Sequence, residues 1–274
     1  MSEIPEMFEL NGKGAIVTGG AGLLGSQFCK TLAQAGAGVA VVDINAPLID
    51  KVVEEITAAG GNAIAVPTDI TEPTSVEAML EKTLEAFGRV DILVNSAALD
   101  PKFDPDSIGE QGANAFETFP LDGWKQALDV NLTGMFLCSQ AAVKPMLEQG
   151  GGSIINLCST YGLGGPDQRI YQQEGQPPKY KPVTYTVTKA GVVGMTKYLA
   201  TYYGTKNIRV NSLTPGGVYN NHDPQFVEAY AYRTAMGRMA KQHEMNGALL
   251  FLASEASSYM TGSNLVVDGG WTAW

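Results

Sequence analysis

Residues 14–25 read Gly-Ala-Ile-Val-Thr-Gly-Gly-Ala-Gly-Leu-Leu-Gly and join an apolar run to a glycine-rich turn. The run Gly14–Thr18 is typical of a buried strand, and Gly25–Ala35 has the pattern of a helix. Glycines let the backbone approach a pyrophosphate closely, and a helix N-terminus supplies free N–H groups to bind it. The alternative is a tight turn without a ligand. The strand-turn-helix context favours a dinucleotide-binding turn formed by Gly19, Gly22, Leu24 and Gly25.

The rest of the chain repeats the alternation of apolar runs and helical patterns. Further strands are predicted at Gly38–Asp43, Asn62–Pro67, Asp91–Asn95, Ser153–Cys158, Ile208–Leu213 and Asn264–Val267. Helices are predicted at Pro47–Ala59, Pro73–Phe87, Gly123–Gln149, Thr184–Tyr203, Asp223–Met236 and Glu244–Ser254. Strands of unbroken apolar character are typical of a parallel sheet covered on both faces. We therefore predict an α/β protein, a three-layer doubly wound Rossmann fold with a seven-stranded parallel sheet, as a single domain over residues 1–274.

The overall charge excludes some classes of partner. The chain has 18 basic and 28 acidic residues and a net charge of −10. Nucleic acid and anionic membranes attract basic surfaces, so neither is an expected partner. No apolar run reaches the ~20 residues of a membrane span, and the acidic start lacks the apolar region of a signal peptide. We expect a cytoplasmic protein with a small-molecule substrate.

The cysteines and histidines do not form a metal-binding pattern. Cys29, Cys138 and Cys158 each lie in an apolar run, as core thiols do in a reducing compartment. His222 and His243 are far apart and share no ligand spacing with a cysteine. The sequence therefore predicts no structural metal.

Asp43 indicates which dinucleotide the turn binds. It ends the second predicted strand, 18 residues beyond Gly25. A carboxylate there accepts hydrogen bonds from ribose hydroxyls and repels a 2′-phosphate. No Arg or Lys follows it in Ile44-Asn45-Ala46. We predict NAD as the cofactor; the alternative for Asp43 is a helix-capping or loop carboxylate.

Tyr185 and Lys189 are four residues apart on a predicted helix, so they share one face. A free Tyr has a pKa near ~10, and an adjacent cation lowers it. One lysine rarely lowers the pKa of a phenol to neutrality, so we expect a second positive group, such as an oxidised nicotinamide. Considered without the other motifs, the pair fits an ordinary amphipathic helix face.

These motifs, in this order, resemble the short-chain dehydrogenase/reductase family over about Asn11 to Gly270. The resemblance implies that Asn131, Ser159, Tyr185 and Lys189 are the catalytic tetrad. It further implies cofactor contacts from Asp69, Ile70, Asn95, Ala97, Tyr185, Lys189, Pro215, Gly216, Val218 and Asn220. The closing strand matches at Val267-Asp268-Gly269-Gly270.

The resemblance also implies a role for each member of the tetrad. Tyr185 would exchange a proton with the substrate hydroxyl, and Lys189 would lower the pKa of Tyr185 and bond the nicotinamide ribose. Ser159 would donate to the substrate oxygen, and Asn131 would hold a water that links Lys189 to solvent. The open alternatives are a backbone-bonded helix residue for Asn131, a turn residue for Ser159 and a helix cap for Asp69.

The chain departs from the family pattern at three places. Its glycine spacing, Gly19-x-x-Gly22-x-x-Gly25, looks like that of nucleotide-sugar epimerases and dehydratases, and of an atypical subgroup that includes flagellin-glycan sugar dehydrogenases. The distance in sequence from Ser159 to Tyr185 is about twice the usual one. Asn220 occupies the position where a Thr usually binds the nicotinamide amide.

Two long inserts follow strands, at Leu99–Leu121 and Tyr161–Val183. Loops of this length in a compact domain are often functional. Their hydrogen-bonding residues favour a sugar, sugar acid or polyol substrate: Asp100, Lys102, Asp104, Asp106, Glu110, Asn114, Asp167, Gln168, Arg169, Tyr171, Gln172 and Gln173. The alternative is that both inserts are solvated surface or oligomer contacts. A lid is predicted over about residues 219–240, including Asp223–Gly237.

The helices Trp124–Met146 and Thr184–Tyr203 are apolar around most of their circumference, which predicts a homodimer or homotetramer. The leading function is an NAD-dependent oxidoreductase acting on a secondary alcohol or ketone. The glycine spacing leaves a nucleotide-sugar epimerase or dehydratase with bound NAD as an alternative. A non-catalytic dinucleotide sensor is a third, although a sensor has no need of four chemical groups.

Overall fold

The computed structural model describes residues 6–100, 112–173 and 175–274. Its seven strands form one parallel sheet in the order β3-β2-β1-β4-β5-β6-β7. They are β1 Gly14–Thr18, β2 Gly38–Asp43, β3 Asn62–Pro67, β4 Ile92–Asn95, β5 Gly152–Leu157, β6 Ile208–Pro215 and β7 Asn264–Val267. The predicted three-layer Rossmann fold is confirmed. The strand order reverses between β1 and β4, and ligands of such sheets bind at that point.

Eight α-helices cover the sheet in the described part of the chain. They are α1 Gly25–Gln34, α2 Ala46–Ala58, α3 Pro73–Phe87, α4 Leu121–Leu128, α5 Met135–Gln149, α6 Val183–Tyr203, α7 Pro224–Arg233 and α8 Asn246–Ala253. Phe28, Ile49 and Leu249 fill the core on one face of the sheet. Met79 and Met146 belong to the core on the other face. The helices of the crossover connections lie on both sides of the sheet, so the central strands are buried on both faces.

The helix predicted over Gly123–Gln149 is not continuous. A wide, π-helical turn at Asp129–Gly134 separates α4 from α5. Within this turn, the Asn131 side chain bonds both the N–H and the C=O of Leu99, at 2.6 and 3.0 Å. Such turns hold one extra residue and occur often at functional sites. Helical periodicity does not reveal them, because the apolar pattern continues on both sides.

The two inserts lie against each other. Ala113 donates to the Pro178 carbonyl, and Tyr180 donates to the Ala113 carbonyl, which makes a short parallel bridge. Asn114 adopts a left-handed backbone conformation beside this bridge. The predicted ligand groups Lys102, Asp104, Asp106 and Glu110 lie outside the described residues.

All three cysteines are buried and free of disulfides. Over residues 6–100, 112–173 and 175–274, no His, Cys, Asp and Glu side chains cluster as metal ligands. Within the same ranges, none of the helices has the length and apolar character needed to span a membrane.

Candidate active site

The turn between β1 and α1 requires glycine at two of the predicted positions. A Cβ atom on Gly25 would overlap the Gly19 carbonyl oxygen. Gly19 has a φ of 65°, and a Cβ there would lie 2.8 Å from the Ala97 backbone. Only glycine permits this close packing between the turn and the end of β4. The result is a backbone cradle open to the carboxyl end of the sheet.

This cradle opens into a cavity of about 570 Å³. Most of the predicted cofactor residues line it: Gly19, Gly22, Leu24, Gly25, Asp43, Asp69, Ile70, Ala97, Tyr185, Lys189 and Pro215. Pockets of 300–1,000 Å³ suit ligands of this general size. The glycine cradle, the two carboxylates and the volume together fit a dinucleotide lying across the switch point of the sheet.

Asp43 and Asp69 each make local bonds and also line the cavity. Asp43 accepts from the backbone N–H groups of Ala21 and Asn45, at 3.2 and 3.1 Å. Asp69 accepts from the hydroxyl and N–H of Thr71, and these bonds lower the pKa of Asp69. Both carboxylates therefore brace their loops while they line the cavity. Asp69 forms a turn with Thr71 ahead of α3, whose N-cap is Glu72, so the predicted alternative of a helix cap does not describe it.

Two predicted cofactor residues lie elsewhere. The Asn95 amide is buried behind the cavity wall, where it donates to Ser139 and Asn156. Asn220 is exposed, and its backbone N–H donates to the ring of His222. Asn95 points back because it ends a central strand buried on both faces. Asn220 lies five residues after the end of β6, where the chain runs over the surface, so its side chain is exposed to solvent.

Ser159, Tyr185 and Lys189 meet where β5 ends against α6. The Ser159 side chain hydrogen-bonds the Tyr185 phenol and also accepts from the N–H of Tyr161, at 3.2 Å. The Lys189 ammonium donates to the Leu157 carbonyl at 2.8 Å and lies 5.9 Å from the centre of the Tyr185 ring. The helix spacing thus places the phenol and the ammonium together, as predicted from the positions in sequence.

The electrostatics of this group differ from the expectation that Lys189 would lower the pKa of Tyr185. Burial raises the pKa of Tyr185, the Asp100 charge raises it further, and the Ser159 bond lowers it. Burial also lowers the pKa of Lys189 to about 8. A dry site disfavours phenolate and ammonium alike. A second positive group is still needed.

The side chain of Asn131 has three hydrogen bonds that join separate parts of the chain. Besides both Leu99 bonds, its amide donates to the Thr188 hydroxyl at 3.1 Å. These contacts tie the π-helical turn to the loop after β4 and to α6. The alternative of a backbone-bonded helix residue therefore describes the side chain of Asn131.

A second cavity, of about 270 Å³, adjoins Tyr185, and Leu23 and Leu24 of the glycine turn also line it. Ser159, Gly216 and Val218 line it, so these two turn residues face this cavity and not the larger one. Its other walls are mainly aromatic: Tyr161, Tyr171, His222, Phe226 and Tyr230. Lys181 and Asp100 supply its charges.

The polar side chains of the second insert mostly hold the insert together. Asp167 pairs with Arg169 and Arg233, both at 2.7 Å, and the Arg169 side chain is 85 % exposed. Gln168 exchanges two hydrogen bonds with the Lys181 backbone, and Gln172 donates to the Lys179 carbonyl. A long loop must satisfy its own backbone groups, so these residues do not present their polar atoms to the cavity.

The segment predicted as a lid contacts both the second insert and the tail. Arg233 at the end of α7 pairs with Asp167, and the Trp274 ring N–H donates to the Arg233 carbonyl. Tyr230 stacks on Trp271 with ring centres 4.1 Å apart. The tail tryptophans therefore pack on their own chain.

Sequence reasoning missed several residues of the second cavity, notably Lys181, Tyr161, His222, Phe226 and Tyr230. Lys181 lies four residues before Tyr185 but outside α6, so helical spacing does not predict their contact. The aromatic residues carried no such signal either, since they come from the turn after β5, the loop after β6 and helix α7.

A glycine cradle with a carboxylate at the end of β2, joined to a Ser–Tyr–Lys group, defines a nicotinamide-dependent oxidoreductase acting on CH–OH groups. A family model described as enoyl-(acyl carrier protein) reductase matches residues 20–272. The chain belongs to the short-chain dehydrogenase/reductase family.

Three relatives illustrate the range of this family. The chain is 34 % identical to a cyclohexanol dehydrogenase of Acinetobacter sp. (strain SE19) over 266 residues, 97 % of each chain. A gluconate 5-dehydrogenase of Burkholderia cenocepacia J2315, solved with NADP and tartrate, is 29 % identical, with a TM-score of 0.83 and 98 % of each chain covered. A 7 alpha-hydroxysteroid dehydrogenase complexed with NADH and 7-oxo glycochenodeoxycholic acid is 30 % identical, with a TM-score of 0.83, covering 98 % of this chain and 97 % of its own.

Proposed function

We propose that the protein is an NAD-dependent dehydrogenase of a sugar, sugar acid or polyol. The observation that carries the proposal is the position of Tyr185, which lines both cavities, with Ser159 beside it in the smaller one. One cavity holds the glycine cradle and Asp43, and the other is small and lies beside the phenol. A substrate hydroxyl in the second cavity therefore faces the proton-transfer group and the cofactor together.

The preference for NAD is supported by Asp43. Its carboxylate lines the cavity at the end of β2, where a ribose hydroxyl would donate to it. Ile44, the next residue, is apolar and 73 % exposed, so no cation follows to hold a 2′-phosphate. Of the similar structures, one holds NADP and another holds NADH, so they do not distinguish the two cofactors. The proposal of NAD therefore depends on the Asp43 carboxylate.

The chain's own residues divide the proton chemistry among them. In oxidation Tyr185 takes the hydroxyl proton, and in reduction it donates that proton to the carbonyl oxygen. Ser159 donates a hydrogen bond to the same oxygen as its charge develops. Lys189 holds positive charge next to the phenol and lies where a nicotinamide ribose would be bound. When bound, the nicotinamide exchanges the hydride with the carbinol carbon.

Residues of the turn and its neighbours would hold the dinucleotide. The N–H groups around Gly22 and Gly25 would bind the pyrophosphate, and Asp69 and Ile70 would flank the adenine. Asn131, through its contacts with Leu99 and Thr188, would keep the loop after β4 closed over the site.

The second cavity supports a small hydroxylated substrate. Its volume of about 270 Å³ lies at the low end for ligand pockets. Tyr161 and Tyr171 hydroxyls bond each other at 3.0 Å at its wall, and Lys181 and Asp100 add a donor and an acceptor. Aromatic walls with a few placed polar groups suit the C–H faces and hydroxyls of a sugar-like ring.

The test is an NADH-formation assay with a panel of sugars, sugar acids, polyols and cyclohexanol, each with NAD and with NADP. The proposal expects turnover with a polyhydroxylated substrate and a higher kcat/KM with NAD. A preference for cyclohexanol over every polyol would contradict the substrate class. NAD that remains bound through purification, with no net NADH formed, would instead support the epimerase or dehydratase alternative suggested by the glycine spacing.

The quaternary structure is also part of this proposal. Phe136 on α5 and Tyr198 and Tyr202 on α6 are exposed around one apolar groove. We propose that this face pairs with a second copy in a homodimer or homotetramer, and that residues 1–274 form one domain acting in the cytoplasm. Light scattering on the purified protein measures the assembly; a monomer at micromolar concentration would contradict it.

A further inference from the structure

A second lysine lies closer to the Tyr185 ring than the lysine of the family motif. The Lys181 ammonium is 3.9 Å from the centre of that ring, compared with 5.9 Å for Lys189. Both oxygens of the Asp100 carboxylate accept from Lys181, each at 2.7 Å. All three side chains line the second cavity. The motif that defines the family does not include this ion pair.

We propose that Lys181 and Asp100 are opposed positioning residues that set the pH range in which Tyr185 exchanges its proton. This inference rests on the proposed dehydrogenase activity. Lys181 favours the phenolate because it adds positive charge over the ring, and cations bind an electron-rich ring face. Asp100 opposes it because a neighbouring carboxylate disfavours a second negative charge.

The two charges act with unequal strength because their exposure differs. The Lys181 side chain is 14 % exposed, whereas that of Asp100 is 49 % exposed. Water screens the half-exposed carboxylate more than the nearly buried ammonium. The net effect of the pair on Tyr185 is therefore expected to be positive, and it is available before any cofactor contributes charge.

The other ionisable groups around Tyr185 come from five segments. They are Lys189 on α6, Cys158 after β5, Tyr161 and Tyr171 in the second insert, His222 after β6 and Tyr230 on α7. Burial lowers the pKa of His222 and raises that of Tyr230, so both are neutral. Burial also keeps Tyr161 and Tyr171 neutral by raising the pKa of each. Apart from Lys189, Lys181 and Asp100 are therefore the charged groups near Tyr185 in the described chain.

The pair also explains how the two inserts affect the chemistry. Asp100 begins the first insert, and Lys181 ends the second, immediately before α6. The Lys181 backbone is held by both amide atoms of Gln168. A change in either insert that separated the pair would therefore change the charge over Tyr185 without altering the motif residues.

The experiment compares the pH dependence of kcat/KM for alcohol oxidation in Lys181→Met, Asp100→Asn and the double variant. Lys181→Met removes the cation, so the rising limb should move to higher pH by about one pH unit. Asp100→Asn leaves the cation unpaired, so the limb should move to lower pH by about half a pH unit. The double variant removes the net positive effect of the pair, so its rising limb should lie about half a pH unit above that of the wild type. Lys197→Met and Asp50→Asn make the same chemical changes at exposed sites and should shift nothing.

The outcomes separate this inference from the proposed function. If the rising limb of kcat/KM has the same midpoint pH in all variants, even with a lower kcat, the pair only orders the inserts. That result would overturn the inference. Shifts of the same sign in both single variants would also overturn it. If wild-type enzyme oxidises no alcohol in the panel, the proposed function fails. The phenolate absorbance of each NAD-bound protein, minus that of its Tyr185→Phe counterpart, then tests the opposite shifts directly.

Discussion

The Asp43 carboxylate accepts a hydrogen bond from the Ala21 backbone N–H, 3.2 Å away in the glycine turn. The carboxylate proposed to select the ribose is therefore tied to the loop that would bind the pyrophosphate. This link couples the two halves of dinucleotide recognition, because a change at Asp43 also releases one N–H of the turn.

Asp43→Asn should weaken NAD binding and narrow the preference over NADP. Losing charge-assisted bonds to ribose hydroxyls costs about 1.5–3 kcal/mol, or roughly 10-fold to 100-fold in the KM for NAD. The KM for NADP should change less, since repulsion of the 2′-phosphate is lost at the same time. Steady-state kinetics with both cofactors measure this. Asp50→Asn on the exposed face of α2 is the matched control. If the ratio of the KM values for NAD and NADP is unchanged in Asp43→Asn, the carboxylate only braces its own loop.

Gly25→Ala should abolish dinucleotide binding and destabilise the fold. The new methyl group would overlap the Gly19 carbonyl, so the turn or α1 must shift, at a cost of about 1–3 kcal/mol. Gly247→Ala, in α8, places the same methyl group in open space and should be neutral or stabilising by up to about 1 kcal/mol. Thermal unfolding and NADH fluorescence titration report both effects. Normal NADH affinity in Gly25→Ala would be incompatible with the cradle described here.

Tyr185→Phe should lower turnover by at least about 100-fold while NAD affinity stays nearly unchanged, because it removes the proton donor and keeps the ring. The readouts are kcat with the best substrate of the panel and NADH binding by fluorescence. Tyr232→Phe on α7 removes a hydroxyl from a side chain that is 89 % exposed, and it serves as the control. Substantial turnover in Tyr185→Phe would exclude this residue as the acid/base.

Lys189 should make stability depend on pH in the alkaline range. Burial lowers its pKa to about 8, whereas an unfolded chain keeps a lysine near ~10.4. The unfolded state therefore binds more protons between these values, so protonation favours unfolding. As the pH falls from ~10 to 8, the free energy of unfolding of the wild type should fall, relative to that of Lys189→Met, by up to about 1.4 kcal/mol per pH unit. Below pH 8 the difference between the two proteins should stay constant.

Urea unfolding of both proteins between pH 7 and 10 measures this difference. Lys197→Met, on an exposed position of the same helix, should show a pH-independent difference from the wild type. The same flat profile for Lys189→Met would show that the ammonium is not disfavoured by its surroundings.

Local patterns determined the architecture of this protein almost completely. The strands predicted at Gly14–Thr18, Gly38–Asp43, Asn62–Pro67 and Asn264–Val267 have the observed bounds. The central strands β1 and β2 are buried and apolar almost throughout, which leaves a strong signal over five or six residues. The edge strands β3 and β7 are only partly buried but keep apolar centres. The close packing of Gly19 and Gly25 was equally readable, because only glycine permits it.

The sequence by itself also placed Tyr185 next to Lys189, since helix geometry converts a spacing of four into proximity. The tertiary structure alone decided what surrounds them. It turned Asn131 toward Leu99, directed Asn95 behind the cavity, and placed Lys181 over the Tyr185 ring with Asp100 as its partner. Burial then reversed the expected effect on the tyrosine pKa. The physical reason is that neighbours within a helix follow from short-range geometry, whereas solvation and charge balance depend on residues brought together from distant loops.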